Sequence, residues 1–140
     1  MSQYDLSETE LTTANRRLLV DMYAAAKAGD VAGFFSALSP EVVIKEPTFL
    51  PYGGTYRGID EFRALFGDVA KFLDMSSLTV DRIVADGDHA FGLIRLSTTS
   101  GDREVRLAEL SILREGKVAE MEIFVHDGAG LLGTARPSRS

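Results

Sequence analysis

The chain has 140 residues, and its 15 Lys and Arg against 21 Asp and Glu give a net charge of −6. This length suits one domain, and the absence of a basic stripe argues against nucleic acid or an anionic membrane as a partner. The chain contains no cysteine, which excludes disulfides, thiolate metal ligands and a cysteine nucleophile. The cytoplasm is the expected compartment, because no signal-peptide pattern opens the chain and no apolar run approaches the roughly 20 residues of a membrane span.

The first part of the chain predicts two helices joined almost without a loop. Ser7 and Glu10 have the spacing of a capping box, so a helix is expected from about Glu8 until Gly29. Asp30 is then placed to cap a second helix, in which apolar residues recur with helical spacing. That pattern carries the helix to residue 38, before a Ser-Pro pair stops it.

A strand and a third helix follow. Residues 41–46 are rich in β-branched side chains, which favours a short strand, and Gly58 opens the next helix. The apolar side of this third helix is expected to hold Phe62, Leu65, Phe66, Val69 and Phe72 or Leu73.

The second half of the chain changes to the period of two that is typical of strands, which are expected at 77–85, 89–98, 103–113 and 118–126. Each intervening turn contains a glycine, so these four strands should form an antiparallel meander. Asp127 is placed to cap a short helix through Leu132. Residues 134–140 are polar and interrupted by proline, so we expect a single domain over 1–133 and a disordered tail.

This order of elements predicts an α+β fold, in which a curved antiparallel sheet, mixed at its edge, wraps around the first helix as a cone with an interior cavity. The later strands carry apolar residues on both faces. One face can line the cavity, and the other would be unusually apolar for the surface of a monomer. A homodimer that pairs these sheet faces would cover it.

Glu46 ends an apolar strand and directly precedes Pro47 and a loop rich in Gly and Tyr. A carboxyl group on an apolar wall resists ionisation, so its pKa can rise into the range that suits a general base. The alternative is an exposed carboxylate at the end of a strand, or one paired with Lys45 or Arg57.

Three segments together resemble the nuclear transport factor 2-like (NTF2-like) superfamily, in its SnoaL-like and ketosteroid isomerase-like branch. They are YAAAKAGD from Tyr23, VIKEPTFLPYGGTYRG with the following IDEFRALF, and the closing EMEIFVHDGAGLL. The resemblance implies a cone-shaped α+β fold. This fold hosts isomerases, cyclases, epoxide hydrolases, dehydratases and many proteins without a known reaction.

The resemblance also implies site residues. Glu46 stands where ketosteroid isomerase-like enzymes have their general base, and Glu109 stands where they have an acidic hydrogen-bond donor, with Glu for the usual Asp in both places. The family's phenolic donor on the first helix corresponds to Met22, with Tyr23 one residue away. Two interior carboxyl groups would push their pKa values apart, so that Glu46 stays ionised as the base and Glu109 keeps its proton as the donor. The alternative for Glu109 is a buried ion pair with Arg95.

Other polar residues are weaker candidates. Tyr52 and Tyr56 flank Gly53-Gly54 in a loop that either closes over a ligand or plugs the cone. His89 and His126 suit solvated or capping positions, and two distant histidines without cysteine do not predict a metal site. The expected ligand contacts are Met22, Tyr23, Phe49, Tyr52, Tyr56, Phe62, Leu107 and Met121.

The sequence therefore predicts binding of a small, mostly apolar molecule that bears a carbonyl or hydroxyl group. It also favours proton transfer without a cofactor, as an isomerase or an aldol-type cyclase. A non-catalytic ligand-binding or assembly domain is the first alternative, and a cavity filled by Phe34, Phe49 and Met121 would favour it. An epoxide hydrolase is the second alternative, which would need Arg95 or Arg106 between two acids.

Overall fold

The computed structural model describes residues 7–126 and Gly128. Residues 7–126 form three helices and six strands: α1 (Glu8–Ala28), α2 (Val31–Ser36), β1 (Leu38–Glu46), β2 (Gly54–Arg57), α3 (Gly58–Val69), β3 (Leu73–Asp86), β4 (His89–Thr98), β5 (Glu104–Arg114) and β6 (Lys117–Val125). The expected helix from Asp127 and the tail at 134–140 lie outside the described residues.

The six strands form one sheet in the order β2-β1-β6-β5-β4-β3. Only the β1–β6 pair is parallel, and it places Ile44 opposite Met121. The predicted α+β fold with a mixed sheet is therefore confirmed. The helix α1 packs on β3, and α3 packs on β1, so the helices cover one face of the sheet and enclose the core against it.

The helix α1 begins and ends as its sequence predicts. Ser7 and Glu10 form both hydrogen bonds of the capping box, and Gly29 closes the helix in the left-handed region with φ 78°. Asn15 is buried on the inner side, where its amide donates to the Gly87 carbonyl at 2.9 Å. That bond fixes the start of α1 against the β3–β4 turn.

The second helix is shorter than predicted. It ends at Ser36, and Leu38 already begins β1, so the Ser39-Pro40 pair lies in a strand and does not stop a helix. The pairing of β1 with β6 is irregular between Leu38 and Val43. Proline lacks an N–H group, and an interrupted ladder tolerates it.

The third helix also ends early, at Val69, so Phe72 and Leu73 lie beyond it and Leu73 begins β3. The strand β2 was not predicted. It has only four residues and alternates between half-buried and exposed side chains, so it carries too little apolar signal to be recognised. The four later strands follow the predicted meander: β4 matches its predicted boundaries, and the boundaries of the other three differ by one to four residues.

Candidate active site

The helices and the inner face of the sheet enclose a cavity with a volume of about 70 Å³. Its wall is almost wholly apolar, with side chains from all three helices and most strands. Among the described residues, polar groups enter this wall at three places: Tyr23, Glu46 and Glu109. The site is therefore two carboxyl groups and one phenol in an apolar enclosure.

Glu109 lies on the inner face of β5, between its cross-strand partners Gly92 and Ile123. It shares that face with Val105 and Leu107, as its strand parity predicted. The Tyr23 phenol, which is 3% exposed, donates a hydrogen bond to Glu109 Oε1 at 3.0 Å. Burial raises the pKa of Glu109 to about 7, although the bond from Tyr23 acts to lower it. Burial and the nearby Glu109 charge raise the pKa of Tyr23 well above its ordinary value.

Glu46 is the last residue of β1, and it is half-buried in the cavity wall. The described residues give its carboxyl group no ion pair, because the neighbouring Lys45 pairs with Glu120 at 2.8 Å. Burial and, second, the charge of Glu109 raise the pKa of Glu46 to about 8. Among the described residues Glu46 is therefore neither fully exposed nor paired with Lys45 or Arg57, the alternatives that the sequence left open.

The charge of Glu109 raises the pKa of Glu46, so ionisation of one carboxyl group disfavours ionisation of the other. Glu109 receives a hydrogen bond from Tyr23 and Glu46 receives none from the described residues, so the first negative charge is better stabilised on Glu109. That charge then helps to hold the proton on Glu46. The Tyr23 hydrogen bond therefore favours Glu109 as the carboxylate and Glu46 as the acid, which is opposite to the division of roles expected from the sequence.

Two of the tyrosines expected at the ligand do not reach the cavity wall. Tyr52 is buried, and its ring packs on Phe72 with 5.6 Å between the ring centroids. Tyr56 donates its hydroxyl hydrogen bond to the Tyr52 carbonyl oxygen at 2.7 Å. Backbone hydrogen bonds from Leu50 to Pro47 and from Gly53 to Leu50 close the turns that lead into this segment, and a side chain at Gly53 would collide with the Pro47 carbonyl. These contacts hold the segment in a tight turn, and neither phenol lines the cavity.

Two further expected contacts also lie elsewhere. Met22 is buried but does not line the cavity, and its neighbour Tyr23 occupies the wall instead. Phe49 is 52% exposed and lies over a groove outside the cavity. The remaining expected contacts, Phe62, Leu107 and Met121, do line the cavity.

The basic side chains that the alternatives invoked lie outside the cavity. Arg95 pairs with Asp81 at 2.8 Å and Glu104 at 3.1 Å on the outer face of the sheet, so it does not pair with Glu109. Arg106 is opposite Arg95 and exposed. His89 and His126 are both exposed, and His89 contacts Asp88 at 2.6 Å.

Several wall residues were not singled out as ligand contacts from the sequence. Their signal was present as ordinary core periodicity, which does not distinguish a residue that faces a cavity from one that faces another side chain. They include Phe34, Phe66, Met75, Ile94 and Ile123.

Comparison with known proteins identifies the family of this chain. The family model of the SnoaL-like domain matches residues 19–121, a range that contains Tyr23, Glu46 and Glu109. The chain belongs to the SnoaL-like family. A search of curated proteins gives no match for this SnoaL-like domain. No helix among its described residues is both long and apolar enough to span a membrane.

Solved structures share the fold of this SnoaL-like domain. An NTF2-like protein from Burkholderia thailandensis is 27% identical with a TM-score of 0.78, and the match covers 88% of this chain and 98% of that one. Bal32a, from a soil-derived mobile gene cassette, is 16% identical with a TM-score of 0.77, over 89% and 98% of the two chains. TerC, co-crystallized with polyporic acid, is 20% identical with a TM-score of 0.74, over 88% and 99%. The NTF2-like fold expected from the sequence is confirmed.

Proposed function

We propose that the domain binds a small, mostly apolar molecule bearing a carbonyl or hydroxyl group, and that it moves a proton on this molecule without a cofactor. The observation that carries the proposal is the pair Glu46 and Glu109, two carboxyl groups with raised pKa values in one apolar cavity. Such a pair presents one proton acceptor and one proton donor near neutral pH. That combination suits an isomerase or an aldol-type cyclase.

In the proposed reaction the Glu109 carboxylate takes a proton from the carbon beside the ligand's carbonyl group. The C–H bond breaks, and its electron pair forms an enolate. The Glu46 carboxyl group donates a hydrogen bond to the developing oxyanion, where a dry wall makes that bond more effective than it is in water. Transfer of the proton from Glu109 to another carbon of a conjugated enolate completes an isomerisation. In an aldol cyclisation the enolate carbon instead attacks a second carbonyl carbon, whose C–O π bond breaks, and the resulting alkoxide takes the proton from Glu109. Both routes restore the Glu109 carboxylate.

The wall of the cavity supports a ligand without negative charge. No basic side chain of the described residues lines it, so an anionic ligand would meet the Glu109 charge without a compensating partner. A cavity of about 70 Å³ is small, which supports either a small ligand or a larger ligand of which only one part enters the cavity. The crystallization of TerC with polyporic acid supports an organic ligand for this fold.

The test measures proton exchange directly. A panel of small apolar ketones is incubated with the protein in D₂O, and deuterium uptake beside the carbonyl group is followed by ¹H NMR. E109Q keeps the shape of Glu109 but removes the base, and E46L removes the hydrogen-bond donor, which a glutamine would partly replace through its N–H groups. Each variant should slow exchange by about 10²-fold or more. Glu41 lies exposed on the same strand as Glu46, so E41Q is the matched control and should exchange at the wild-type rate.

A non-catalytic ligand-binding domain is the second candidate. Phe34 and Met121 both occupy the wall and leave a narrow interior, which favours this candidate, whereas Phe49 lies outside. Binding of a ketone without any acceleration of exchange by the wild-type protein would decide for it and against proton transfer. The epoxide hydrolase alternative lacks its arginine, because Arg95 and Arg106 lie on the outer face.

We also propose that a second copy of the chain covers the outer face of the sheet. Phe91, Leu93 and Phe124 are 37%, 37% and 46% exposed there, and the rings of Phe91 and Phe124 lie 6.4 Å apart. Neighbouring apolar side chains extend this patch across three adjacent strands. A contiguous apolar surface of this kind is typical of an interface.

A further inference from the structure

Gly92 occupies an unusual place for a glycine. It is buried in the middle of β4, whereas its inward-facing neighbours on that strand, Ala90 and Ile94, both carry side chains. A glycine inside a strand weakens it unless another group needs the space. Its backbone does not adopt the left-handed conformation that would require glycine. The reason for glycine must therefore be found in what packs against it.

The group that packs there is the phenol of Tyr23. A Cβ atom added to Gly92 would lie 2.6 Å from Tyr23 Cζ and 2.7 Å from Cε2, and it would also collide with the hydroxyl group. These atoms belong to a rigid ring that is 3% exposed, so the ring has little room to move aside. An alanine at this position would have to displace Tyr23.

The same place on the sheet holds Glu109. Gly92 and Glu109 are direct cross-strand partners on β4 and β5, so a ring that lies over Gly92 is brought next to the Glu109 carboxyl group. The hydrogen bond from the Tyr23 hydroxyl to Glu109 Oε1, at 3.0 Å, is the result. Among the described residues, no other group donates a hydrogen bond to the Glu109 carboxyl group.

We propose that Gly92 is a positioning residue of the candidate site: its missing side chain lets the Tyr23 phenol reach Glu109 and stabilise the Glu109 carboxylate. The part that Gly92 plays in proton transfer rests on the proposed function, whereas its part in the Tyr23–Glu109 bond does not. Gly92 itself touches no reacting atom. It acts by determining which of the two cavity acids ionises first.

The electrostatic surroundings of Glu109 make this effect measurable. The titratable groups that interact with it are Tyr23 from α1, Glu46 from β1 and Tyr52 from the 47–53 turn, and none of them is a cation. Without the Tyr23 hydrogen bond, no group in this set would favour the charged form of Glu109. Glu109 would then hold its proton to a higher pH.

The test titrates Glu109 in the ligand-free protein. Protein labelled with ¹³C at the glutamate carboxyl carbons is followed by NMR from pH 4 to 10, and E109Q identifies the signal. Y23F should raise the titration midpoint of Glu109, G92A should raise it comparably, and the combination G92A/Y23F should add nothing further. The matched control is G67A, because a Cβ at Gly67 meets nothing within 4 Å, and its Glu109 midpoint should stay at the wild-type value. A wild-type midpoint in G92A, alongside a raised one in Y23F, would overturn the proposal.

A second measurement applies if G92A folds too poorly to titrate. Y23L replaces the rigid ring with a shorter side chain and frees the space above position 92. G92A should lower the melting temperature in the wild-type background and have much less effect in the Y23L background. An equal loss in both backgrounds would show that Gly92 does not serve Tyr23. Both measurements use protein without ligand, so a failure to detect proton exchange would reject the proposed function and leave this inference standing.

Discussion

At the scale of single residues, two buried hydroxyl groups on the sheet have opposite surroundings. Ser111 is fully buried, and its Oγ has no hydrogen-bond partner among the described residues. Thr98 is buried as well, but its hydroxyl bonds Ser100 at 3.0 Å and Asp102 at 3.1 Å. Leaving a buried hydroxyl unpaired costs about 1–3 kcal/mol. The two residues should therefore respond differently to the loss of their hydroxyl groups.

We expect S111A to increase the free energy of unfolding by about 1 kcal/mol, because it removes an unpaired polar group without removing a bond. T98A is the matched comparison and should decrease it by about 1–2 kcal/mol, since it breaks satisfied hydrogen bonds. Urea unfolding of both variants measures the difference. If S111A lowered the free energy of unfolding as much as T98A does, the conclusion that the Ser111 hydroxyl is unpaired would be wrong.

The residue scale also shows what the sequence could predict of the site. The position of Glu109 was predictable because side chains alternate strictly along a strand, so its parity with Val105 and Leu107 fixed its face. The choice of Tyr23 over Met22 was not, because one residue turns a helix by about 100° and only packing on the sheet decides which side chain meets Glu109. The space that Gly92 leaves for the Tyr23 ring was also not predictable, because a single glycine in a strand does not change the apolar periodicity of the sequence.

At the scale of elements, we predict that a charge on the outer face of β4, β5 and β6 disrupts the proposed dimer. Phe124 projects from β6 on this face and is 46% exposed, so F124E should place a charge inside the proposed dimer interface. A dimer of standard size buries about 1,200–2,000 Å², and one buried charge without a partner is enough to weaken it strongly. Analytical ultracentrifugation should find the wild type as a dimer and F124E as a folded monomer.

The control for this experiment is V31E. Val31 is also an exposed apolar residue, at 41%, but it lies on α2 and away from the outer face of the sheet. V31E should therefore sediment as the wild type does. A monomeric wild type, or a V31E variant that dissociates as readily as F124E, would reject the sheet-face dimer.

Elements with complete local signals were the ones that the sequence predicted accurately. The helix α1 has a capping box at one end and Gly29 at the other, and β4 lies between two glycine turns, so both boundaries of each were specified locally. The boundary between α2 and β1 was misplaced because Leu38 satisfies either pattern. Pairing with β6 decides in favour of the strand. That partner lies about 80 residues further along the chain, so a local sequence pattern contains no information about it.

At the scale of the whole molecule, the two cavity acids make the stability of the fold depend on pH. Burial raises the pKa of Glu109 to about 7 and that of Glu46 to about 8, from an ordinary value of 4.5. Between pH 4.5 and 8 the folded state therefore binds more protons than the unfolded state. Under linkage, the free energy of unfolding then falls as the pH rises through that window. Exposed carboxylates such as Asp81 and Asp102, whose pKa values are lowered, act in the opposite direction only at lower pH.

We therefore expect the greatest stability near pH 5 and a loss of several kcal/mol by pH 9, because both cavity carboxyl groups must give up protons that the folded state holds more tightly than the unfolded state. The variant E46Q/E109Q cannot ionise at either position, so its free energy of unfolding should stay nearly level over that range and exceed that of the wild type at pH 9. E41Q changes an exposed carboxylate and should keep the wild-type slope. Urea unfolding at pH 5, 7 and 9 measures all three proteins. A wild type that is equally stable at pH 5 and 9 would show that the cavity acids ionise as freely as exposed ones, and the proposed chemistry would lose its acid.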